Sequence, residues 1–276
     1  MMERVKAKKS LGQNFLVDQN VLERIVAAVA PTADDRVLEI GPGQGALTGR
    51  LAPRVGRLVA VELDKRLLGP LSAAYGSLPH VTIVEGDILR VNLPELLRSH
   101  GHGQWKVAAN LPYNISSQVL FLFLETPTLF SRLVLMLQKE VGDRLVASPG
   151  TKEYGILSVF CALHFDVVRE CLVKPGSFRP IPKVDSVVLR FTPLAAPRCD
   201  VGDEALFRRV VKTAFGQRRK TLWNCLKGAD LAPDDEALRE ILAACGIDPG
   251  RRGETLDLEE FARLSRSLLS DGKMLA

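Results

Sequence analysis

The feature that most constrains the fold is an alternation of strand-like and helix-like segments through the first half of the chain. Short apolar runs of strand length cover residues 36–40, 58–61, 81–84, 106–109 and 133–137. Segments with helical periodicity lie between them, at residues 46–53, 65–75, 93–99 and 116–124. Such alternation builds right-handed βαβ units, so we predict a mostly parallel sheet with helices on both faces.

The pattern changes after Val146. A helical segment at 154–163 leads to two β-rich runs, 164–173 and 186–191, which we predict to form an antiparallel pair at one edge of the sheet. A stretch at 192–197 with two prolines and two alanines is the predicted linker, and the pattern beyond it is helical. The sequence therefore predicts an α/β domain over residues 1–196 and a small all-helical domain over residues 197–276.

Charge and composition restrict the class of protein only mildly. The formal net charge is +5, which is compatible with a polyanionic partner without requiring one. The five cysteines are widely spaced and no pair has CxxC spacing, so we expect reduced thiols and no metal site. The basic N-terminus lacks an apolar run, and the longest uncharged stretch is too polar to span a bilayer. We expect a cytoplasmic, monomeric protein without membrane contact.

The strongest local signal is a glycine-rich turn at 41–45 that follows a predicted strand and opens a helix. Its GxGxG spacing lets the backbone approach a ligand closely and differs from the GxGxxG of dinucleotide binders. Glu62 ends the second strand, where a carboxylate accepts hydrogen bonds from ribose hydroxyls. Acidic groups without a phosphate-binding lysine favour S-adenosylmethionine over NAD. The predicted cofactor contacts here are Gly41, Gly43, Gly45, Glu62 and Asp87.

The predicted chemistry lies at the end of the fourth strand, in the sequence Asn110-Leu111-Pro112-Tyr113. An Asn-Leu-Pro-Tyr element is typical of enzymes that methylate exocyclic amines of bases, whose lone pair is delocalised and poorly nucleophilic. The Asn110 side-chain oxygen and the Leu111 carbonyl can accept the two amine hydrogens and orient that lone pair. Pro112 restricts the backbone, and Tyr113 can stack on an extruded base. Together the motifs predict a Rossmann-like class I methyltransferase fold.

With these residues in place, the chain resembles the KsgA/Dim family of ribosomal RNA adenine dimethyltransferases over nearly its whole length. Residues 10–16 are similar to the family's N-terminal cofactor lid, which implies that Asn14 and Leu16 contact S-adenosylmethionine, together with Asn110. Residues 154–159 and 178–186 are similar to later family motifs, and the resemblance implies that Phe178 stacks on the target base opposite Tyr113. Residues 214–222 open the helical domain as in family members.

The resemblance implies dimethylation of two adjacent adenosines in a hairpin near the 3′ end of small-subunit (16S) ribosomal RNA, as a step of subunit maturation. A basic stretch supports an RNA partner, because no acidic residue lies between Leu206 and Lys227. A charge run alone is more often a solvated face, and only the neighbouring motifs reverse that. The predicted RNA contacts are Arg208, Arg209, Lys212, Arg218, Arg219 and Lys220, joined by Arg4, Lys6, Lys8 and Lys9 of the N-terminal arm.

Three alternatives stay open at this point. An Erm-type methyltransferase of large-subunit RNA shares the motifs at 41–45, 110–113 and 178–186, although the segment 217–222 and the long helical tail argue against it. A non-catalytic assembly or transcription factor on the same fold is disfavoured by the intact Asn110–Tyr113 element. A nicotinamide dehydrogenase is disfavoured by the glycine spacing.

Overall fold

The structure is a computed structural model that describes residues 5–273. Its contacts divide these residues into two compact units. The first comprises the chain up to Gly142 together with Asp166–Pro193, and the second comprises Asp143–Phe165 and the chain from Leu194 onward. The helical unit thus includes a segment, 143–165, that precedes the last strands. The sequence-based division at residues 196 and 197 remains a prediction.

The first unit is built on strands that follow the predicted apolar runs. Most residues of the central strands β2, β3 and β5 are buried, because a parallel sheet is covered on both faces. This burial explains why the sequences of these strands are mainly apolar. The strands of the chain are β1 (Phe15–Leu16), β2 (Arg36–Ile40), β3 (Arg57–Glu62), β4 (Val81–Glu85), β5 (Trp105–Asn110), β6 (Phe130–Gln138), β7 (Phe165–Val173), β8 (Phe178–Arg179) and β9 (Ser186–Pro193).

Seven of the strands within residues 5–273 form one sheet in the order β4-β3-β2-β5-β6-β9-β7. Strands β2 to β6 pair in parallel, and β9 pairs antiparallel with β6. The predicted parallel sheet is confirmed, and the two late β-rich runs are neighbours at one edge as predicted. The sequence did not predict the two-residue strands β1 and β8, which pair with each other, because they are too short for any periodicity.

The helices at residues 48–51, 65–75, 93–100 and 116–125 lie where the helical periodicity predicted them. Asp18 caps the first helix, and its carboxylate accepts hydrogen bonds from the amides of Asn20 (3.0 Å) and Val21 (3.3 Å). The helix predicted over 46–53 is shorter than expected, because its last turn is a 3₁₀ turn that contains Pro53. The helices are α1 (Gln19–Val29), α2 (Thr48–Leu51), α3 (Lys65–Tyr75), α4 (Leu93–His100), α5 (Ser116–Glu125) and α6 (Lys139–Leu145).

The second unit is helical, as predicted for the C-terminal region. Its core is aromatic: the ring of Phe215 lies 5.9 Å from those of Tyr154 and Phe261, and Phe160 lies 6.2 Å from Phe207. None of the helices in the described part of the chain combines the length and the apolar character needed to cross a bilayer. The unit contains α7 (Ile156–His164), α8 (Glu204–Ala214), α9 (Leu222–Leu226), α10 (Asp235–Ala244) and α11 (Leu258–Lys273).

A buried carboxyl group joins β2 to α2 beneath the glycine-rich turn. The side chain of Glu39 is almost completely buried, and its Oε2 accepts a hydrogen bond of 2.8 Å from the Thr48 hydroxyl. Burial raises the pKa of Glu39 from 4.5 to about 8, because one hydroxyl bond does not replace the hydration that a charged carboxylate loses. Glu39 is therefore a neutral acid at neutral pH.

We predict that Glu39→Gln removes a pH dependence of stability. Between pH 4.5 and about 8 the folded chain keeps a proton on Glu39 that the unfolded chain releases, so the free energy of unfolding falls as pH rises. The contribution reaches about 1.4 kcal/mol per pH unit, and the neutral glutamine does not make it. Urea unfolding of both proteins at pH 5, 6, 7 and 8 measures the difference; parallel curves would show that Glu39 does not titrate in this range.

Candidate active site

A pocket of about 830 Å³, its open mouth included, lies at the carboxyl ends of β2, β3, β4 and β5. This edge of a parallel sheet is where α/β proteins bind ligands. The pocket brings together most of the predicted cofactor contacts with the predicted catalytic turn. The predicted residues that line it are Asn14, Gly41, Gly43, Glu62, Asp87, Asn110, Leu111, Pro112 and Tyr113.

The glycine-rich turn and Glu62 form one rigid wall of the pocket. Gly41 and Gly43 have φ values of +65° and +58°, a region that side chains other than glycine rarely adopt. The Gly43 amide donates to Glu62 Oε2 (3.0 Å), and the Asp64 amide donates to Glu62 Oε1 (2.8 Å). Each carboxylate oxygen accepts more than one hydrogen bond, so the fixed Glu62 can still accept from a ligand hydroxyl. Burial raises the pKa of Glu62 from its ordinary value.

Gly45 does not line the pocket. A Cβ at this position would lie 2.9 Å from the ring of Tyr75, whose hydroxyl donates to the Gly45 carbonyl (3.1 Å). Its φ of +78° also favours glycine. The structure therefore gives Gly45 a packing function between the turn and α3, and its contact with a cofactor remains a prediction.

The N-terminal lid, residues 10–16, covers the pocket. Gly12 lies so close to the catalytic turn that a Cβ there would be 2.5 Å from Asn114 Oδ1. The Gln13 side chain donates to Asp64 Oδ2 (2.9 Å), and Arg66 holds the same carboxylate through an ion pair of 2.6 Å. The Arg66 guanidinium lowers the pKa of Asp64, so that group stays charged. These contacts hold the lid closed over the sheet edge.

Asn110 joins the lid to the catalytic turn. Its Nδ2 donates to the backbone carbonyl of Asn14 (3.0 Å), which orients the amide. Within the described chain no residue bonds Asn110 Oδ1, which leaves that oxygen as an acceptor. The next amide, that of Leu111, donates to the Met136 carbonyl (3.2 Å) on the neighbouring strand and fixes the peptide plane between Asn110 and Leu111. Both acceptors that the sequence predicted for an amine therefore belong to a constrained segment.

The aromatic ring of the turn is anchored at its far end. The Tyr113 hydroxyl and the Ser186 hydroxyl lie 2.6 Å apart, and Ser186 is completely buried at the start of β9. Ser116 Oγ donates to the Tyr113 carbonyl (3.3 Å) at the other end of the residue. Burial raises the pKa of Tyr113, so its hydroxyl stays protonated. A ring held at both ends presents a defined face to the pocket.

Phe178 and Leu16 lie away from the pocket. They face each other in the β1–β8 pair, and both are buried in the apolar core beside α1. The ring of Phe178 is completely buried, so stacking on a base requires a shift of that short pair. The predicted roles of Phe178 and Leu16 thus remain predictions, and this conformation does not present either side chain to a ligand.

Sequence reasoning missed several residues that build the site. Gln13 and Asp64 each lie close to a predicted contact, Asn14 and Glu62, but their mutual hydrogen bond joins positions 51 residues apart. Ser186 ends the motif at 178–186, yet only the fold places it against Tyr113. Phe15, Ile88 and Asn114 line the pocket as well. In the described part of the chain, no group of three or more His, Cys, Asp or Glu side chains is placed to hold a metal ion.

The basic residues of the helical unit divide into two groups. Arg208 pairs with Glu204 (2.8 Å) and lies 5.1 Å from the centre of the Phe160 ring, while Arg218 donates to two backbone carbonyls of the segment 152–154. Arg209 is exposed but donates to the Ala229 carbonyl. The remaining predicted contacts, Lys212, Arg219 and Lys220, are exposed, as are Lys6, Lys8 and Lys9 of the first unit, whereas Arg4 lies outside the described residues.

Comparisons with known proteins agree with this site. Residues 4–267 match the family model described as ribosomal RNA adenine dimethylase. The chain is 64% identical to the ribosomal RNA small subunit methyltransferase A of Geobacter metallireducens over 98% of both chains. It is 52% identical to the protein of the same name from Syntrophotalea carbinolica, over 95% of this chain and 96% of that one.

Two solved structures are similar over nearly their whole length. A dimethyladenosine transferase from Plasmodium falciparum has a TM-score of 0.81 and 26% identity, covering 94% of this chain and 98% of that one. The 23S rRNA methyltransferase ErmE has a TM-score of 0.68 and 25% identity, covering 92% and 99%. The predicted class I methyltransferase fold with C-terminal helices is confirmed.

Proposed function

The chain belongs to the ribosomal RNA adenine dimethylase family and is a ribosomal RNA adenine dimethyltransferase, and we propose that it binds S-adenosylmethionine in the pocket at the carboxyl ends of β2–β5. One observation carries the proposal: Asn110 and Tyr113 line the same pocket as Glu62. The small ribosomal subunit is the target named for relatives that match nearly the full chain, so the Erm-type alternative is not favoured.

The residues of the pocket fit a cationic nucleoside without phosphates. None of the described residues that line it is a lysine, arginine or histidine, whereas Glu62 and Asp87 are acidic. The side chains of Ile40, Val61 and Ile88 supply apolar surface for an adenine ring. When bound, S-adenosylmethionine supplies an electrophilic methyl group on a positively charged sulfur. In this proposal Glu62 accepts hydrogen bonds from the ribose hydroxyls, and Asp87 lies near the adenine edge.

The catalytic turn orients the target amine. The lone pair of an adenine amino group is delocalised into the ring, so the group is a poor nucleophile until its hydrogens are held by acceptors. Asn110 Oδ1 and the Leu111 carbonyl serve as these acceptors. The bond from Asn110 Nδ2 to the Asn14 carbonyl orients the first of them before the base arrives. The ring of Tyr113 stacks on the flipped base and sets its plane.

The resemblance to family members extends the proposal to the target. Two adjacent adenosines in a hairpin near the 3′ end of small-subunit RNA receive two methyl groups each, as a step of subunit maturation. A monomeric enzyme in the cytoplasm suits this substrate. The intact turn supports catalysis over a purely non-catalytic assembly role, since such a role needs no oriented amine acceptors.

The phosphates of the RNA are held by the exposed basic residues. Lys212, Arg219 and Lys220 project from the helical unit without the internal bonds that hold Arg208 and Arg218. An exposed cation without a partner can neutralise a phosphate and release a counterion, whereas a guanidinium that already bonds carbonyls stabilises the fold. We therefore narrow the RNA contacts of this unit to Lys212, Arg219 and Lys220, which are exposed and whose side chains have no such bonds within the described residues.

We predict that Asn110→Ala abolishes methyl transfer and leaves cofactor affinity nearly intact. The variant lacks an acceptor for the amine, and removal of one fixed group at a reacting centre costs about 10²- to 10³-fold in rate. Labelled S-adenosylmethionine is incubated with small subunits from cells that lack the modification, with large subunits in parallel, and dimethyladenosine is quantified. Asn20→Ala, at the exposed end of α1, is the control. Normal turnover by Asn110→Ala would contradict the proposed mechanism.

We predict that Tyr113→Phe and Ser186→Ala lower kcat to a similar extent and that the double variant is no worse than either. Each loses the same hydrogen bond, worth about 1 kcal/mol, which corresponds to roughly a fivefold loss. A double-mutant cycle on methyl transfer measures the coupling. Tyr75→Phe, which loses its bond to Gly45, is the control and should combine additively with Ser186→Ala. Additive losses for Tyr113 and Ser186 would show that the bond does not orient the ring.

We predict that the double variant Arg219→Ala and Lys220→Ala reduces the salt dependence of RNA binding. Two lost phosphate contacts reduce the slope of log affinity against log salt by about two. Arg218→Ala is the matched neighbour: its guanidinium bonds the carbonyls of Lys152 and Tyr154, so its loss should lower thermal stability more than the slope. An unchanged slope in the double variant would make these residues a solvated face.

A further inference from the structure

A loop of the first unit is connected at both ends to residues that line the pocket. Residues 180–185 connect β8 to β9. At one end, Arg179 pairs with Phe15, which lines the pocket. At the other end, Ser186 hydrogen-bonds Tyr113, which also lines it. We call this segment the 180–185 loop, and its two ends tie it to residues that line the pocket.

The loop has apolar side chains that are exposed to solvent and are not part of the hydrophobic core. Ile181 is 62% exposed, more than any other large apolar residue in the described chain, and Val184 is 44% exposed. Single exposed apolar residues are ordinary, but two within four positions, in a loop tied to residues that line a binding pocket, indicate a contact surface. Pro180 and Pro182 restrict the backbone between them, so little conformational entropy is lost when the loop is contacted.

The charges around the loop favour a polyanionic partner. The acidic residue of the loop, Asp185, is neutralised by an ion pair of 2.7 Å with Lys174. Lys183 is exposed, and no ion pair to it is formed by any residue of the described chain. Arg179 is also exposed and donates only to backbone carbonyls, at Gly176 and Phe178. The loop thus combines an apolar tip with unneutralised positive charge.

We propose that the 180–185 loop binds RNA in addition to the exposed basic residues of the helical unit. Ile181 and Val184 pack on nucleobases next to the target adenosine, and Lys183 contacts a backbone phosphate. The inference rests on the proposed function. An adenosine that enters the pocket leaves its stack, and the bases on either side then expose apolar faces to water. Apolar side chains that cover those faces stabilise the flipped state, as wedge residues do in kinked nucleic acids.

Kinetics and binding test the proposal on the full-length enzyme. Ile181→Ser and Val184→Ser are compared with Val168→Ser, because Val168 lies on strand β7 and has the same 44% exposure as Val184. We expect about a tenfold lower kcat/KM for unmethylated small subunits in Ile181→Ser, since burial of an isoleucine side chain against a base carries an effect of that size. S-adenosylmethionine affinity and the melting temperature should not change. Values for both loop variants that equal those of Val168→Ser would overturn the proposal.

The salt dependence tests the charged part of the loop. Lys183→Ala should reduce the slope of log affinity against log salt by about one, whereas Ile181→Ser should weaken binding equally at all salt concentrations. Arg98→Ala is the control, because Arg98 is an exposed cation on α4, which precedes β5 and so lies towards the amino end of that strand. An equal slope for Lys183→Ala and Arg98→Ala would remove Lys183 from the interface.

Photo-crosslinking identifies the partner. The photoreactive residue p-benzoylphenylalanine in place of Ile181 is irradiated in the presence of unmethylated small subunits. Crosslinks to RNA within a few nucleotides of the dimethylated adenosines support the proposal, and crosslinks to a ribosomal protein overturn it. Asn110→Ala separates this test from the proposed function. If Asn110→Ala still transfers methyl groups, the mechanism is wrong, whereas the binding and crosslinking results for the loop stand by themselves.

Discussion

The parallel pairing of β2 with β5 is the constraint on which the site depends. Ile40 lies opposite Ala109 in this pair, so the chain leaves both strands at the same edge, one into the glycine-rich turn and the other into Asn110–Tyr113. Strand order reverses here, because β3 and β4 lie beyond β2 while β6 lies beyond β5. At such a switch point the turns diverge and leave a crevice. In the proposed function, donor and acceptor of the methyl group meet here because two segments 70 residues apart end on neighbouring strands.

A single side chain links the cover of the pocket to its chemistry. Asn110 donates from its nitrogen to the lid at Asn14, and its oxygen is the acceptor that we propose for the amine. The lid is further held by Gln13 on Asp64, which is the N-cap of α3 and whose backbone amide also fixes Glu62. Closure of the lid therefore orients the group that accepts the amine hydrogens. Such coupling favours catalysis in which the acceptor is in place only when the cofactor is covered.

The basic side chains of the surface differ in whether they have hydrogen-bond or ion-pair partners within the protein. Arg208 forms an ion pair and Arg218 donates to backbone carbonyls, so both residues stabilise the helical unit. Arg219, Lys220 and Lys183 have no such internal partners within the described residues and are exposed. The proposed RNA contacts are therefore cations without internal partners, and the proposed contact of the apolar tip at Ile181 would add recognition that salt does not screen.

The sequence by itself determined the sheet, most of its helices, the glycine-rich turn and the Asn110–Tyr113 element, because periodicity and short motifs act over neighbouring residues. The shared pocket edge of Glu62 and Asp87 follows from the same local rules. Only the tertiary structure decided which partners those residues meet. The bond from Tyr113 to Ser186 spans 73 positions, and Phe178 lies in the core because β8 pairs with β1. Such contacts depend on which strands pair with each other. Residues that meet in this way are far apart along the chain, so no local sequence pattern predicts the contact.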